Sequence, residues 1–196
     1  IVPPAVDSSR YLYQNLSPWP MMTASEMQFI IAEAAFHKND KPRALAAYSN
    51  AISLNFDMLT KFYPQNIPAG REITPAVKAA YLANPAVVPA SSNELTLSHI
   101  MLQKYIALYI WGSQQTWTDM RKYHYNTDLD PVTGKPVYAD FVTPSGTNLI
   151  STNNGKLAYR MRPRYNSEYL YNVPELQRIG ALNADYNTYE MWFSTK

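Results

Sequence analysis

The spacing of apolar residues predicts a helix that begins just after residue 23. In the stretch MMTASEMQFIIAEAAFHKND, residues 21–40, Thr23 and Glu26 stand at the spacing of a capping box, in which each side chain bonds the other residue's backbone N–H. Side chains then recur at helical intervals in two mostly apolar stripes. The stripes are Met27, Ile30, Ile31, Ala34 and Lys38, and Phe29, Ala32 and Phe36. Two stripes predict a helix that is buried on more than one side.

A second helix is predicted after the short polar turn HKNDKPRA. Asp40 can cap this helix, and Pro42 is tolerated only in a first helical turn. Small residues then stand three or four positions apart, which lets two antiparallel helices approach closely. They are Ala44, Ala47 and Ala51. The two helices predict a hairpin that ends near Leu54 and is about 33 residues long, close to the tetratricopeptide unit of roughly 34 residues.

Later segments predict further helices and one long irregular stretch. The step Thr74-Pro75 predicts a helix that continues to Ala83, and a mostly apolar run predicts a long helix over 93–115. Residues 122–165 are rich in Gly, Pro, Asn, Ser and Thr, which favours irregular structure. Short helical turns are then expected at Ser167 to Asn172 and at Pro174 to Ile179.

These elements together predict an all-α fold of tetratricopeptide-like helical hairpins with long irregular loop excursions. One hairpin cannot bury its outer face alone, so neighbouring helices must cover it. The chain divides into four stretches, namely an extended lead-in over 1–20, a helical hairpin core over 21–121, an irregular loop region over 122–165, and short helices with a C-terminal tail over 166–196.

Composition excludes several functions. Charged residues make up 16% of the 196 positions, below the roughly 25% usual for soluble domains, and the net charge is only +2. The densest basic group, Arg160, Arg162 and Arg164, is too small for a nucleic-acid footprint. The chain has no Cys, which excludes a disulfide scaffold, a thiolate metal site and a Cys nucleophile.

No segment is predicted to cross a membrane. The longest wholly apolar run covers 105–111, far short of the roughly 20 residues that a spanning helix needs. The chain begins IVPPAVDSSR, with neither an initiator Met nor a signal peptide, so we expect a mature segment or a fragment. Any anchoring signal is then expected upstream of residue 1.

Signatures of metal binding and of covalent catalysis are missing. His37, His99 and His124 are scattered without paired-ligand spacing, and neither GxSxG nor a Gly-rich phosphate loop occurs. No metal and no cofactor is therefore predicted. Glu33 and Asp119 are the acids that stand in strongly apolar or aromatic contexts. Two facing carboxylates could hydrolyse a glycosidic bond, so an all-α glycoside hydrolase that uses this pair remains an alternative.

The favoured interpretation of Glu33 and Asp119 is structural. A buried carboxylate must be paired, and a guanidinium group satisfies it in bidentate fashion, better than a Lys would. Arg121 or one of the arginines over 160–164 is the expected partner. Glu33 would then fix how the helices dock, with Asp119 and Arg121 as further structural residues.

The aromatic residues fall into two groups. Trp111, Trp117, Tyr105 and Tyr109 stand at helical spacing, which favours core packing. A second group lies in segments predicted to be non-helical, where binding residues concentrate. It comprises Tyr11, Tyr13, Trp19, Tyr123 and Tyr125. Flat rings suit the apolar face of a sugar, and Gln14 and Asn15 could bond its hydroxyls, so we expect these five aromatic residues to contact ligand.

Several segments, in their order along the chain, resemble one protein family. They are MMTASEMQFIIAEAA, RALAAYSNAISLNF, IMLQKYIALYIWGSQQTWTDMRKY, RPRYNSEYLYN and YEMWF. Together they resemble the C-terminal half of the SusD/RagB outer-membrane lipoproteins of Bacteroidetes, particularly the SusD-like 2 branch. The chain departs from its relatives at MRKYHY, where they tend to carry paired arginines and a Gly-Tyr-Pro, and at RYNSEY, where a Tyr-Pro step is usual.

The resemblance implies a non-enzymatic protein of polysaccharide utilisation, held at the cell surface by an N-terminal lipidated Cys that this chain does not contain. Such proteins capture glycans or other nutrients as a lid on a SusC-type TonB-dependent transporter. The expected partners are therefore that transporter and an oligosaccharide or other nutrient, with membrane contact only through the lipid anchor. An intracellular tetratricopeptide-type adaptor that grips peptides remains a further alternative.

Overall fold

The computed structural model describes residues 17–65, 67 and 69–195, and these residues are helical or irregular, without a β-strand. The all-α prediction is confirmed. Within the described residues the α-helices are α1 (Ala24–His37), α2 (Lys41–Phe62), α3 (Pro75–Leu82), α4 (Leu97–Ala107), α5 (Ser113–Lys122), α6 (Glu168–Tyr171) and α7 (Val173–Arg178). Single 3-10 turns lie at Ser92–Glu94, Gly146–Asn148, Ser151–Asn153 and Tyr186–Thr188.

The helix starts that the sequence predicted are observed. The Thr23 hydroxyl oxygen accepts from the Glu26 N–H at 3.0 Å, and the Asp40 carboxylate accepts from the Arg43 N–H at 3.3 Å. Thr74 caps α3 in the same way. These contacts satisfy backbone donors that have no partner inside the helix, so each helix begins where its capping residue stands.

Helix α2 is longer than its sequence suggested. It runs to Phe62 rather than ending near Leu54, because no Gly or Pro interrupts the chain before Pro64. The Tyr63 N–H then closes the helix by donating to the Leu59 carbonyl at 3.0 Å. The two extra turns carry Asp57, Met58 and Lys61.

Helices α1 and α2 form the predicted hairpin, and small side chains lie along their contact. Ala32, Ala44 and Ala51 are fully buried. The Ser25 hydroxyl, also buried, donates to the Ala51 carbonyl at 2.8 Å, which joins the two helices directly. The alanines bring the backbones close enough for this bond.

Only one of the two predicted stripes of α1 is buried. Phe29 and Phe36 lie in the core, whereas Met27 and Ile30 are exposed. The prediction that α1 is buried on more than one side was therefore wrong. Apolar residues often remain on a protein surface, so apolar spacing alone does not show that both sides of a helix are covered.

The single long helix predicted over 93–115 is two helices, α4 and α5. The chain turns between them, and Ile110 adopts a left-handed conformation with φ 82°. Gly112 lies so close to the side chain of Leu108 that a Cβ atom there would be 2.6 Å from its Cδ2. The break thus depends on Gly112, which the spacing of apolar residues does not reveal.

A turn over 129–136 is tied to the start of α4 by one buried carboxylate. Asp130 is fully buried, and it accepts backbone N–H bonds from Ser98 at 2.7 Å and from Val132 at 2.8 Å. The Asp130 N–H donates to the Lys135 carbonyl at 2.7 Å, which closes the turn. A carboxylate at the N-terminus of a helix is favourable because the exposed N–H groups carry partial positive charge.

The contacts divide the chain into two compact units. The first extends to Trp117 and includes Leu129–Val137, and the second comprises Thr118–Asp128 and the chain from Tyr138 onward. The second unit contains α6 and α7 at the two places where short helical turns were predicted. One of its apolar clusters consists of Leu176, Ala181 and Tyr186.

Candidate functional site

A groove of about 440 Å³ lies in the first unit, between the segment before α1 and the C-terminal half of α2. The segment before α1 and the first turn of α1 supply one wall, from Pro18 to Ser25. The last turns of α2, extended beyond the predicted helix end, supply the other wall. That second wall comprises Leu54, Asp57, Met58, Lys61, Phe62 and Tyr63.

Large apolar side chains form most of the groove surface. Trp19 is 61% exposed, and Met22 and Phe62 are also exposed beside the opening. Tyr63 is buried below them. An exposed tryptophan at a concave surface is available to a ligand in a way that a core tryptophan is not.

The Trp19 segment is attached to a rigid support. The Tyr63 hydroxyl donates to the Pro18 carbonyl at 2.6 Å, directly before Trp19. The Tyr63 ring stacks on Trp111, with ring centroids 5.7 Å apart and planes 7° apart. Burial raises the pKa of Tyr63, so this hydroxyl stays protonated and able to donate at neutral pH. Trp111 in turn donates to the Ala107 carbonyl at 3.2 Å.

The charged groups in the groove lie along the α2 wall. The Asp57 carboxylate is 2.5 Å from the Lys78 ammonium, and the Lys61 ammonium lies 5.2 Å from the Phe62 ring centroid. Both Asp57 and Lys61 line the groove. The site can therefore hold a flat apolar surface against Trp19 and bond hydroxyl groups along one edge.

The five predicted ligand-contacting aromatics have different outcomes. Trp19 lies in the groove, and Tyr11 and Tyr13 lie outside the described residues. Tyr123 and Tyr125 were expected to protrude from a loop, and this was wrong, since they are 6% and 7% exposed.

The positions of Tyr123 and Tyr125 follow from the end of α5. The chain turns sharply there, with positive φ at Tyr125, and the ring stacks on Phe141 with centroids 5.8 Å apart. The Tyr125 hydroxyl donates to the Ala158 carbonyl. Tyr123 contacts the ring of Tyr138. Both rings therefore pack inside the second unit.

The helical aromatics were also only partly predicted. Trp111 and Trp117 are half-buried, whereas Tyr105 and Tyr109 are exposed rather than in the core. Tyr105 lies on the outer side of α4, and Tyr109 follows the end of that helix. The break before Gly112 removes the helical register on which the core prediction depended.

Glu33 is buried, and the structure places a lysine beside it. The Lys104 ammonium lies 3.9 Å from the Glu33 carboxylate, and both side chains are almost fully enclosed. The partner that the structure shows is thus a lysine, where an arginine was predicted. The available signal was a lone charged residue in the apolar run of α4.

Arg121 is a buried residue of the second unit. Its Nη1 donates to the Tyr159 carbonyl at 2.7 Å, and its Nη2 donates to the Thr118 hydroxyl at 3.0 Å. The guanidinium carbon lies 4.9 Å from the Phe193 ring centroid. Burial lowers the pKa of Arg121. Asp119, one turn before Tyr123, accepts the Tyr123 N–H through its backbone carbonyl at 3.2 Å.

The described helices include none that is long and apolar enough to span a bilayer. The fold and the groove together define an all-α chain with an exposed aromatic site. Residues 5–140 match the family model SusD-like 2, described as starch-binding associating with outer membrane. The chain therefore belongs to the SusD-like 2 family, and the matched region contains the whole groove. No curated protein and no solved structure matches the chain.

Proposed function

We propose that this chain is part of a non-enzymatic, cell-surface nutrient-binding protein that holds a starch-type saccharide in the Trp19 groove. The observation that carries the proposal is the exposed Trp19 in a concave apolar site, within the region that matches a starch-binding family. A sugar ring can lay its C–H face on the indole while its hydroxyls reach Asp57 and Lys61. Tyr63 and Trp111 fix the groove before ligand arrives, which lowers the entropic cost of binding.

The proposal extends to a transport role. The protein would be a surface lipoprotein of the outer membrane. Its partner would be a SusC-type TonB-dependent transporter. The genome offers a direct check, because a large transporter gene is expected beside the gene for this protein. An isolated gene without such a neighbour would contradict the transport role.

The saccharide proposal is tested by isothermal titration of the full-length protein with maltooligosaccharides and a wider glycan panel. Replacing Trp19 by Ala should weaken the binding of a starch-type ligand about tenfold, because the stacking surface is lost. The oligosaccharides should be recovered uncut after the titration, since no catalytic step is proposed.

The matched control is Trp192→Ala, which removes another exposed tryptophan outside the groove. It should leave the affinity unchanged. Flat titrations with every glycan, or equal weakening by both variants, would contradict the proposed site. Shortened oligosaccharides would contradict the non-enzymatic role.

A further inference from the structure

The second unit contains a separate cavity of about 510 Å³ that the proposed function does not use. Its walls come from the segment around residue 150, from the RPRYNSEY stretch and from the chain after α7. The residues that carry the inference are Thr152, Arg162, Tyr165, Tyr169, Leu182 and Asn187. They combine an aromatic pair with a cation and neutral polar groups.

The aromatic pair offers a stacking surface on a fixed base. The rings of Tyr165 and Tyr169 lie with centroids 4.5 Å apart and planes 20° apart. The Tyr169 hydroxyl donates to the Ala181 carbonyl at 2.9 Å, which holds the inner ring in the core of the unit. Tyr165 is 62% exposed. A ligand can therefore reach Tyr165 without disturbing the ring beneath it.

Arg162 gives the cavity a positive charge that no acid among the described residues offsets. Its Nη1 donates to the Tyr169 hydroxyl and to the Ala181 carbonyl, at 3.3 Å and 3.1 Å, and its Nη2 donates to the carbonyls of Asn183 and Ala184. Among the described residues, no carboxylate lies within ion-pair distance of this guanidinium. Four of its five N–H groups are engaged, and the Nε–H has no acceptor in the described chain.

Arg162 is the charged residue of the cavity wall, since the other lining side chains are neutral. Neutral carbonyls fix the position of the guanidinium group but leave its unit charge in place. A carboxylate is the partner that such a fixed cation favours most strongly, through a charge-assisted hydrogen bond. The aromatic pair adds a preference for a flat ring with an apolar face.

We propose that this cavity binds an acidic saccharide, with a uronic acid ring on Tyr165 and its carboxylate on Arg162. Thr152 and Asn187 line the same cavity and add neutral polar groups beside the sugar ring. The site goes beyond the Trp19 groove, since every residue that it uses belongs to the second unit. The proposed ligand would supply a carboxylate to the Arg162 guanidinium group, which four neutral oxygen atoms hold in place.

The test titrates the full-length protein with an oligogalacturonide and with a neutral oligosaccharide of the same length. The acidic ligand should bind, and Tyr165→Ala should weaken this binding about tenfold. Tyr171→Ala is the matched control, because Tyr171 is an exposed tyrosine of the same short helix region outside the cavity. It should leave the affinity unchanged. Raising the salt concentration should weaken binding of the acidic ligand, since its contact with Arg162 is ionic.

The Trp19→Ala variant separates this site from the groove, because it should bind the oligogalacturonide as well as the unmodified protein does. Loss of acidic binding in Trp19→Ala would place the ligand in the groove and overturn the inference. No binding of the oligogalacturonide, no response to Tyr165→Ala, or equal binding of the neutral oligosaccharide at this cavity would also overturn it. Thermal melting of each variant checks that it remains folded, so that a lost affinity can be assigned to the binding site.

Discussion

Glu33 and Lys104 place two charged side chains in the core of the first unit. Removing a carboxylate and an ammonium from water is unfavourable, and their attraction offsets this cost only when both are present. The pair connects α1 with α4, so it favours one way of docking these helices over slipped alternatives. We expect it to contribute to the choice of arrangement more than to the total free energy of unfolding.

Replacing Lys104 by Met should lower the free energy of unfolding by about 3 kcal/mol, because the carboxylate of Glu33 loses the cation beside it. Adding Glu33→Gln should recover part of this loss, since a neutral amide is less unfavourable in the core. Urea unfolding of the single and double variants measures both effects.

Lys38→Met, at the exposed end of α1, is the control and should change the stability by less than about 0.5 kcal/mol. A Lys104→Met protein as stable as the unmodified one would show that this ion pair does not contribute to the core.

At the scale of elements, the start of α4 depends on a histidine. The Thr96 hydroxyl accepts from the His99 N–H at 3.0 Å, and the His99 Nδ1 accepts from the Thr96 N–H at 3.2 Å. This is the capping box with histidine in place of the usual Glu or Gln. Burial lowers the pKa of His99, and the nearby carboxylate of Asp130 acts in the opposite direction.

The stability of the protein should therefore fall as the pH falls below the ordinary histidine pKa of roughly 6.5. The unfolded chain binds a proton on His99 more readily than the folded chain, so its share of stability is present above that pH and is lost below it. A protonated ring has no acceptor nitrogen for the Thr96 N–H. His99→Gln keeps an acceptor at this position and has no titrating ring, so it should reduce this pH dependence.

Unfolding by urea between about pH 8 and about pH 5 measures this effect. His37→Gln is the control, because His37 is an exposed residue at the end of α1. It should change the pH dependence of the free energy of unfolding less than His99→Gln does. An equal fall in stability for His99→Gln and for the unmodified protein would contradict a role for the histidine cap.

Elements were predictable where their determinants are local. Thr23, Asp40 and Thr74 each mark a helix start, because a cap acts within three residues along the chain. The end of α2 and the break before Gly112 were not predictable from periodicity. The break depends on the close contact of Gly112 with Leu108. The exposed side of α1 was not predictable either, because apolar spacing alone does not show whether another element covers those residues.

At the scale of the whole molecule, the aromatic residues show how far sequence reasoning reaches for the site. Ligand contact was predicted for aromatic residues that lie in predicted loops, and Trp19 does line a groove. The same criterion gave a wrong prediction for Tyr123 and Tyr125, which are buried. A turn can direct rings inward as readily as outward. The second wall of the groove was missed because it lies on the part of α2 beyond the predicted helix end.

The family assignment and the groove are independent supports for one function. The match over residues 5–140 associates the chain with starch binding at the outer membrane, and the geometry supplies a site of suitable chemistry inside that match. The second unit, most of which lies beyond residue 140, contributes the Arg162 cavity. If both sites bind as proposed, the protein would bind glycans that contain neutral and acidic sugars.

The most direct test of the central claim is hydrogen–deuterium exchange of the full-length protein with and without a maltooligosaccharide. If the saccharide lies in the Trp19 groove, backbone exchange should slow in residues 18–25 and 54–63, the two walls of that groove. Protection confined to other segments, or no change in exchange at a ligand concentration that saturates binding, would contradict the account.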